Sequence, residues 1–196
     1  ATGYTWAAGV DTPEVVHWNG SEWLTATVPV TDAYLNSITM ASANDGWAVG
    51  GYQNGSPLLL NWAGSAWHVV TSPITSGSLN AVSMLSSTDV WAVGYKAPSY
   101  PLILHWNGGL WTEVPAPAIS GGVLNSISMI SPTLGWAVGS KFISPWDGYD
   151  PLLFSWDGAQ WTEVSSPITG FILNSVKMVS PREAWAVGGY NDSSKS

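Results

Sequence analysis

Leu35-Asn36-Ser37-Ile38-Thr39-Met40, then Trp47-Ala48-Val49-Gly50, then Pro57-Leu58-Leu59-Leu60-Asn61-Trp62, then the segment opened by Trp67: this stretch decides the fold, because the chain repeats it. The Leu-Asn phrase returns at Leu79, at Leu124 and at Leu173, where it is cut short. Trp-Ala-Val-Gly stands at Trp47, Trp91, Trp136 and Trp185, and as Trp-Ala-Ala-Gly at Trp6. A second Trp series (Trp18, Trp62, Trp106, Trp156) is followed five residues later by a third (Trp23, Trp67, Trp111, Trp161); Trp146 alone falls outside the scheme. A period of about 40–50 residues with four short apolar segments per unit marks the blades of a β-propeller.

The segments read as strands. Leu58, Leu60 and Trp62 alternate, as do Leu102, Leu104 and Trp106, and Leu152, Phe154 and Trp156. Period-two patterning puts such residues on one face of a strand, and no segment carries a helical stripe. Pro13, Pro57, Pro101 and Pro151 open the third strand of each unit, where a missing donor is tolerated. Asn19-Gly20, Asn107-Gly108 and Asp157-Gly158 follow it, supplying the left-handed residues that tight hairpins need. We label the strands a (Leu35 type), b (Trp-Ala-Val-Gly type), c (Pro-Leu-Leu-Leu type) and d (Trp67 type). The expected fold is an all-β propeller of four-stranded antiparallel blades.

Three whole units cover about 35–78, 79–123 and 124–172, and residues 1–34 with 173–196 are expected to share a fourth blade, closing the ring. Strand b is then present once too often, since Trp6 and Trp185 compete for one place. Either Ala1 to Val10 or Ala184 to Ser196 is expected to be displaced, or two chains exchange terminal strands as a homo-oligomer, because an open strand edge invites pairing. The tail Gly189-Tyr190-Asn191-Asp192 resembles Gly51-Tyr52-Gln53-Asn54, which suggests a chain drawn from a longer array.

Composition narrows the partners. Charged residues are 9% of the chain and the net charge is −8, with Arg182 the single arginine. An acidic surface with no basic stripe argues against nucleic acid and against anionic lipid. No run reaches the roughly 18 apolar residues of a membrane helix, so membrane insertion is not expected. Without cysteine there are no disulfides and no thiolate metal sites.

The hairpins Asn19-Gly20-Ser21-Glu22-Trp23, Asn107-Gly108-Gly109-Leu110-Trp111 and Asp157-Gly158-Ala159-Gln160-Trp161 resemble the Asp-box, the bacterial-neuraminidase repeat of propeller hairpins. The second copy departs from it, with Ala63 at the acidic position. Gly46 to Gly50 and Gly135 to Gly139 are similar to strands of the photosystem II assembly-factor-like propellers. The resemblance implies a propeller in which the box is structural. A sialidase, the enzyme it would suggest, grips its substrate carboxylate with three arginines, and this chain has Arg182 only.

No catalytic constellation, metal site or cofactor site is expected. His17 and His105 fill a repeat slot that holds Asn61 and Ser155 elsewhere, which reads as an outward polar position. Asp147, Asp150 and Asp157 are close in sequence but too few for a Ca²⁺ loop of about 6–8 oxygens. Asn36, Asn80, Asn125 and Asn174 recur on strand a and are expected to ring the central channel, bonding to one another or through water, or gripping a ligand. The variable b–c loops, Gly51 to Ser56, Lys96 to Tyr100 and the long Lys141 to Asp150, carry Tyr52, Tyr95, Tyr100, Trp146 and Tyr149. Aromatics on variable loops suit a glycan or a protein ligand. The expected function is non-catalytic binding or scaffolding, with a glycan lectin and a protein-assembly scaffold as the two readings and a fragment of a sialidase-like or glycoside-active propeller enzyme as the remaining alternative. A lectin would favour an extracellular or cell-surface setting.

Overall fold

In the computed structural model, residues 2–7 and 10–190 are described, with side chains from 12 to 190. The fold is an all-β propeller of antiparallel blades, and no helix occurs among these residues. Three blades have the full a-b-c-d order: β4 to β7 (Ala33–Ser42, Asp45–Tyr52, Pro57–Trp62, Trp67–Val70), β8 to β11 (Gly77–Ser86, Asp89–Lys96, Tyr100–Trp106, Trp111–Glu113) and β12 to β15 (Gly122–Ser131, Leu134–Ser144, Gly148–Trp156, Trp161–Glu163). A three-stranded sheet, β1 (Thr2–Ala7), β2 (Val10–Trp18) and β3 (Trp23–Ala26), precedes them, and a two-stranded sheet, β16 (Phe171–Ser180) and β17 (Glu183–Tyr190), follows. We refer to these five sheets as blades 1 to 5.

The blade expected to be shared between the chain ends therefore stands as two separate sheets among the described residues. Each end keeps its own strand b: β1 lies in register along β2, and β17 along β16. β1 thus occupies the edge of β2, and β17 the edge of β16, that a single shared strand b would bridge. Neither terminal strand b is displaced within residues 2–7 and 183–190; the remaining tail residues of that expectation lie outside the described ones.

The cores lie between blades rather than inside them. Leu58 and Leu60 turn with Leu35 and Trp67 towards Val15 of blade 1, whereas Leu59 turns with Trp47 and Val49 towards Leu79, Val82 and Leu102 of blade 3. The next interface repeats this, with Trp91, Val93 and Ile103 against Leu124, Ile127 and Phe154. A sheet covered on both faces has no polar side, so Pro-Leu-Leu-Leu reads as a continuous apolar run.

Tryptophans tie the outer part of each interface. Trp47 packs against Trp106 and Trp111 of the following blade, at ring-centroid distances of 4.9 and 5.0 Å. Trp91 meets Trp156 and Trp161 at 5.1 and 5.8 Å. In every complete blade the strand c indole also donates to the a–b turn: Trp62 to Ala43 O, Trp106 to Ser87 O and Trp156 to Pro132 O, at 2.9–3.1 Å.

The glycine of Trp-Ala-Val-Gly has a steric cause. Strand a carries an irregularity between Leu35 and Ser37, repeated between Leu79 and Ala81 and between Leu124 and Ser126. It drives the strand a backbone onto strand b. A Cβ on Gly50, Gly94 or Gly139 would overlap the carbonyl oxygen of Tyr34, Ser78 or Val123.

Candidate binding face

Antiparallel order places the a–b and c–d turns on one rim of the blades and the b–c turns with the d–a connections on the other. The first rim is occupied with itself. Asn19 Oδ1 accepts the amides of Ser21 and Glu22, Asn107 Oδ1 those of Gly109 and Leu110, and Asp157 Oδ1 those of Ala159 and Gln160, at 2.8–3.1 Å. The amides of Gln160 and Ala159 hold the Asp157 carboxyl below the usual carboxylate range. These side chains fasten their own turns.

All five loop aromatics lie at the second rim, but they are spread over three blades, and only Trp146 among them is exposed. Tyr52 ends β5, and burial pushes its phenol above the ordinary value. Tyr95 and Tyr100 flank the b–c turn of blade 3, both half-buried, with Tyr95 opposite Ser78 and Pro101. The expected long loop Lys141 to Asp150 is instead an extended hairpin, with β13 reaching Ser144 and β14 starting at Gly148. Its cause is a cross-strand pair: Phe142 lies opposite Tyr149, their rings edge-on at 5.5 Å. Trp146 sits at the tip, 95% exposed.

Between these aromatics and the d–a connections run two equivalent grooves. Strand d is short, and the chain turns away after Val70 and after Val114, whose amide still bonds Ile103 O. The start of strand c is thus left without a strand d neighbour, from Pro57 in blade 2 and from Pro101 in blade 3. The blade 2 groove, about 320 Å³, is lined by Tyr52, Pro57, Leu58, Val69 and Ile74. The blade 3 groove, about 340 Å³, is lined by Lys96, Tyr100, Pro101, Glu113, Pro115 and Pro117.

The two differ at several equivalent positions, Tyr100 against Ser56 and Pro115 against Thr71 among them, and in charge at one pair. Lys96 reaches across strand c to Glu113, and Lys141 to Glu163 in the same places of blade 4, at 3.0 Å. Blade 2 has Tyr52 and Val69 there. One groove is therefore rimmed by an ion pair and its neighbour by apolar groups.

The remaining expected positions lie elsewhere. Asn36, Asn80 and Asn125 donate to the carbonyls of Leu79, Leu124 and Leu173, each on strand a of the next blade, at 2.8–2.9 Å. They form a staircase joining consecutive inner strands, and Asn174 on the last strand a is exposed. Ser37, Ser83, Ser126 and Ser128 add hydroxyls that accept amides of Val82, Met129, Val176 and Met178. Asp147 bonds Ser144, Asp150 accepts the amide of Gly170, and Asp157 caps its turn, so these acids do not converge. No group of three or more His, Asp or Glu placed to hold a metal occurs among the described residues.

His17 and His68 are exposed, but His105 is half-buried and stacked on Trp91 at 4.3 Å. Its Nε2 lies 2.9 Å from Asp89 Oδ1, which also accepts the Trp91 indole N–H at 2.8 Å. The sequence reading missed this cluster, although the acid two residues before the strand b Trp is visible at Asp45, Asp89 and Glu183.

No protein-family model and no curated protein matches this chain. Among solved structures, it is similar to YCF48 bound to D1 peptide, with a TM-score of 0.59, 19% identity, and coverage of 91% of this chain and 54% of that one. It is also similar to YCF48 from Cyanidioschyzon merolae, with a TM-score of 0.53, 14% identity, and coverage of 86% of this chain and 60% of that one. The chain thus spans a little over half the length of these propellers, and the likeness concerns the fold.

Proposed function

We propose that this chain is a non-catalytic binding module whose ligand is an extended protein segment held on the second rim. The observation that carries this is the recurrence of one groove in two successive blades, each beside an unpaired start of strand c. An extended peptide can add to such an edge through main-chain hydrogen bonds while its alternate side chains enter the groove. Tyr100, Pro101, Pro115 and Pro117 offer rigid apolar walls, and Lys96 with Glu113 offers one charge of each sign at the rim. The blade 2 groove offers only apolar and hydroxyl contacts, so two adjacent segments of one peptide would meet different surroundings. A bound peptide in the similar YCF48 structure agrees with this choice of ligand.

The test is selection from a random twelve-residue peptide phage library on immobilised protein, followed by calorimetry with the selected peptides. Extended binders that weaken at least tenfold with Tyr100→Ala or Tyr52→Ala are expected. Selected peptides indifferent to both substitutions would refute the groove.

A second reading has one observation of its own. Trp146, 95% exposed on a hairpin braced by Phe142 and Tyr149, is a platform on which a sugar ring could stack. Glycan-array binding abolished by Trp146→Ala would favour this lectin-like reading, and an empty array would dismiss it.

A further inference from the structure

Strand c of each complete blade has a proline at its start, and the register fixes which way that proline faces. In blade 3 the amide of Asn107 donates to Leu110 O across the c–d turn, and that of Val114 to Ile103 O at 2.9 Å. Main-chain groups alternate in direction along an antiparallel strand. His105, Ile103 and Pro101 therefore turn theirs towards strand d, and Leu102 and Leu104 towards strand b. The register of β10 along β9 is unbroken over this stretch, so Pro101 keeps that direction one step beyond the last strand d partner. In blade 2 the turn closes from Ala63 to Ala66, Asn61 and Leu59 lie opposite His68 and Val70, and Pro57 is the next residue turned the same way. In blade 4 Val164 donates to Leu153 O at 2.9 Å, which gives Pro151 the same place.

The open edge of strand c beside each groove thus carries a carbonyl oxygen and no N–H, because proline has no donor. Pro57, Pro101 and Pro151 are all buried, yet none of their carbonyl oxygens receives a hydrogen bond among the described residues. The place opposite Pro101 would fall to Ala116, which stands between Pro115 and Pro117 beyond the end of β11. A buried main-chain acceptor without a donor is uncommon in a folded chain and calls for a partner from outside it. Pro57 and Pro101 line the two grooves.

We propose that the main-chain anchor of each groove is this single oxygen, Pro57 O in blade 2 and Pro101 O in blade 3, and that each takes one N–H from the bound segment. The inference rests on the peptide reading above and supplies the ligand chemistry that reading leaves open. The segment donates at the anchor and accepts nothing there from strand c. Its anchor residue cannot be proline or otherwise N-alkylated, whereas the residues beside it can. Proline at the edge also keeps a whole strand from zipping onto it, since a ladder needs donors as well as acceptors. The edge holds a segment at one point, and the apolar groove holds its side chains.

The test is an N-methyl scan of peptides selected on the immobilised whole chain, read by calorimetry. Affinity is expected to fall about tenfold or more at one position for each groove engaged, and to change less than about threefold elsewhere. Replacing the same amide by an ester, which removes the donor without adding bulk, should reproduce the loss. Tyr100→Ala and Tyr52→Ala identify the groove engaged and separate this inference from the reading beneath it. Peptides that weaken with those substitutions but show a flat scan, or lose affinity at every second position, overturn the single anchor and leave the peptide reading standing. A methyl effect that the ester does not reproduce overturns it as well. Peptides indifferent to both tyrosine substitutions remove the grooves, and this inference with them.

Discussion

The side-chain amide of Asn80 donates to the main-chain carbonyl of Leu124, 2.9 Å away on the next blade. One residue thus links the innermost strands of two blades whose sheets are not otherwise joined by a ladder. Asn80→Ala leaves a half-buried carbonyl without its donor and is expected to cost about 1–2 kcal/mol. Asn80→Asp is expected to cost at least as much, because it sets a carboxylate facing that oxygen. Asn174→Ala, at the exposed end of the staircase, should be close to neutral. Urea titration of the three variants checks this, and equal losses for Asn80 and Asn174 would remove the staircase as a source of stability.

The staircase also separates what the sequence discloses from what it does not. That Asn recurs on strand a follows from the repeat, and so does its place near the axis. Its acceptor does not, because that depends on the strand a irregularity at Leu79 and Ala81, which changes the register by one residue. The alternation of Leu58, Leu60 and Trp62 announces a strand, as the structure has it, whereas the burial of Leu59 on the opposite face depends on the neighbouring blade and was not read from the sequence. The hairpin from Phe142 to Tyr149 was hidden because Gly148, Pro145 and two acids read as a loop, while the ring pair that extends the strands is a contact between them. The grooves were hidden for a different reason. They arise where the chain leaves strand d at Pro115 to Ala118, a segment with no periodicity to read.

Gly94 faces the carbonyl oxygen of Ser78, and an added Cβ would fall inside contact distance of backbone rather than of a yielding side chain. Strand a would have to move away from strand b, taking Leu79 out of the core. Gly94→Ala is expected to destabilise by about 1–3 kcal/mol. Gly20→Ala, where nothing lies within 4 Å but φ is +105°, tests backbone strain alone and should cost less. Thermal melts of the pair decide it: a larger loss at Gly20 would mean that the close approach is not what requires glycine.

Acid should act on the Asp157 hairpin. The amides of Gln160 and Ala159 favour the ionised carboxyl in the folded state and lower its pKa. A group with a depressed folded pKa contributes stability that is present above its unfolded value of about 4 and is lost as pH falls through the folded value. Asp157→Asn should flatten this part of the stability profile below pH about 4 while keeping the turn, since Asn107 makes the same two bonds to Gly109 and Leu110. Denaturation midpoints between pH 2 and 6 would show it as a smaller loss for the variant, and parallel profiles would contradict it.

Asp89 is the most exacting polar position outside the turns. One carboxylate oxygen accepts the Trp91 indole at 2.8 Å and lies 2.9 Å from His105 Nε2, while the imidazole stacks on the indole. Trp91 belongs to the core between blades 3 and 4, so this oxygen fixes the ring against which Trp156 and Trp161 pack. Asp89→Ala leaves a half-buried imidazole and an indole N–H without their acceptor and should cost about 1–3 kcal/mol. His105→Asn, the residue blade 2 uses at the same position, should be milder, because Asn61 there bonds a strand b carbonyl instead. Glu183 accepts the Trp185 indole in the same way, at 3.0 Å, but both side chains are exposed. Glu183→Ala should therefore change the stability of a monomer little. Equilibrium unfolding followed by tryptophan fluorescence measures all three, and a Glu183 loss matching that of Asp89 would show that burial is not what gives the carboxylate its weight.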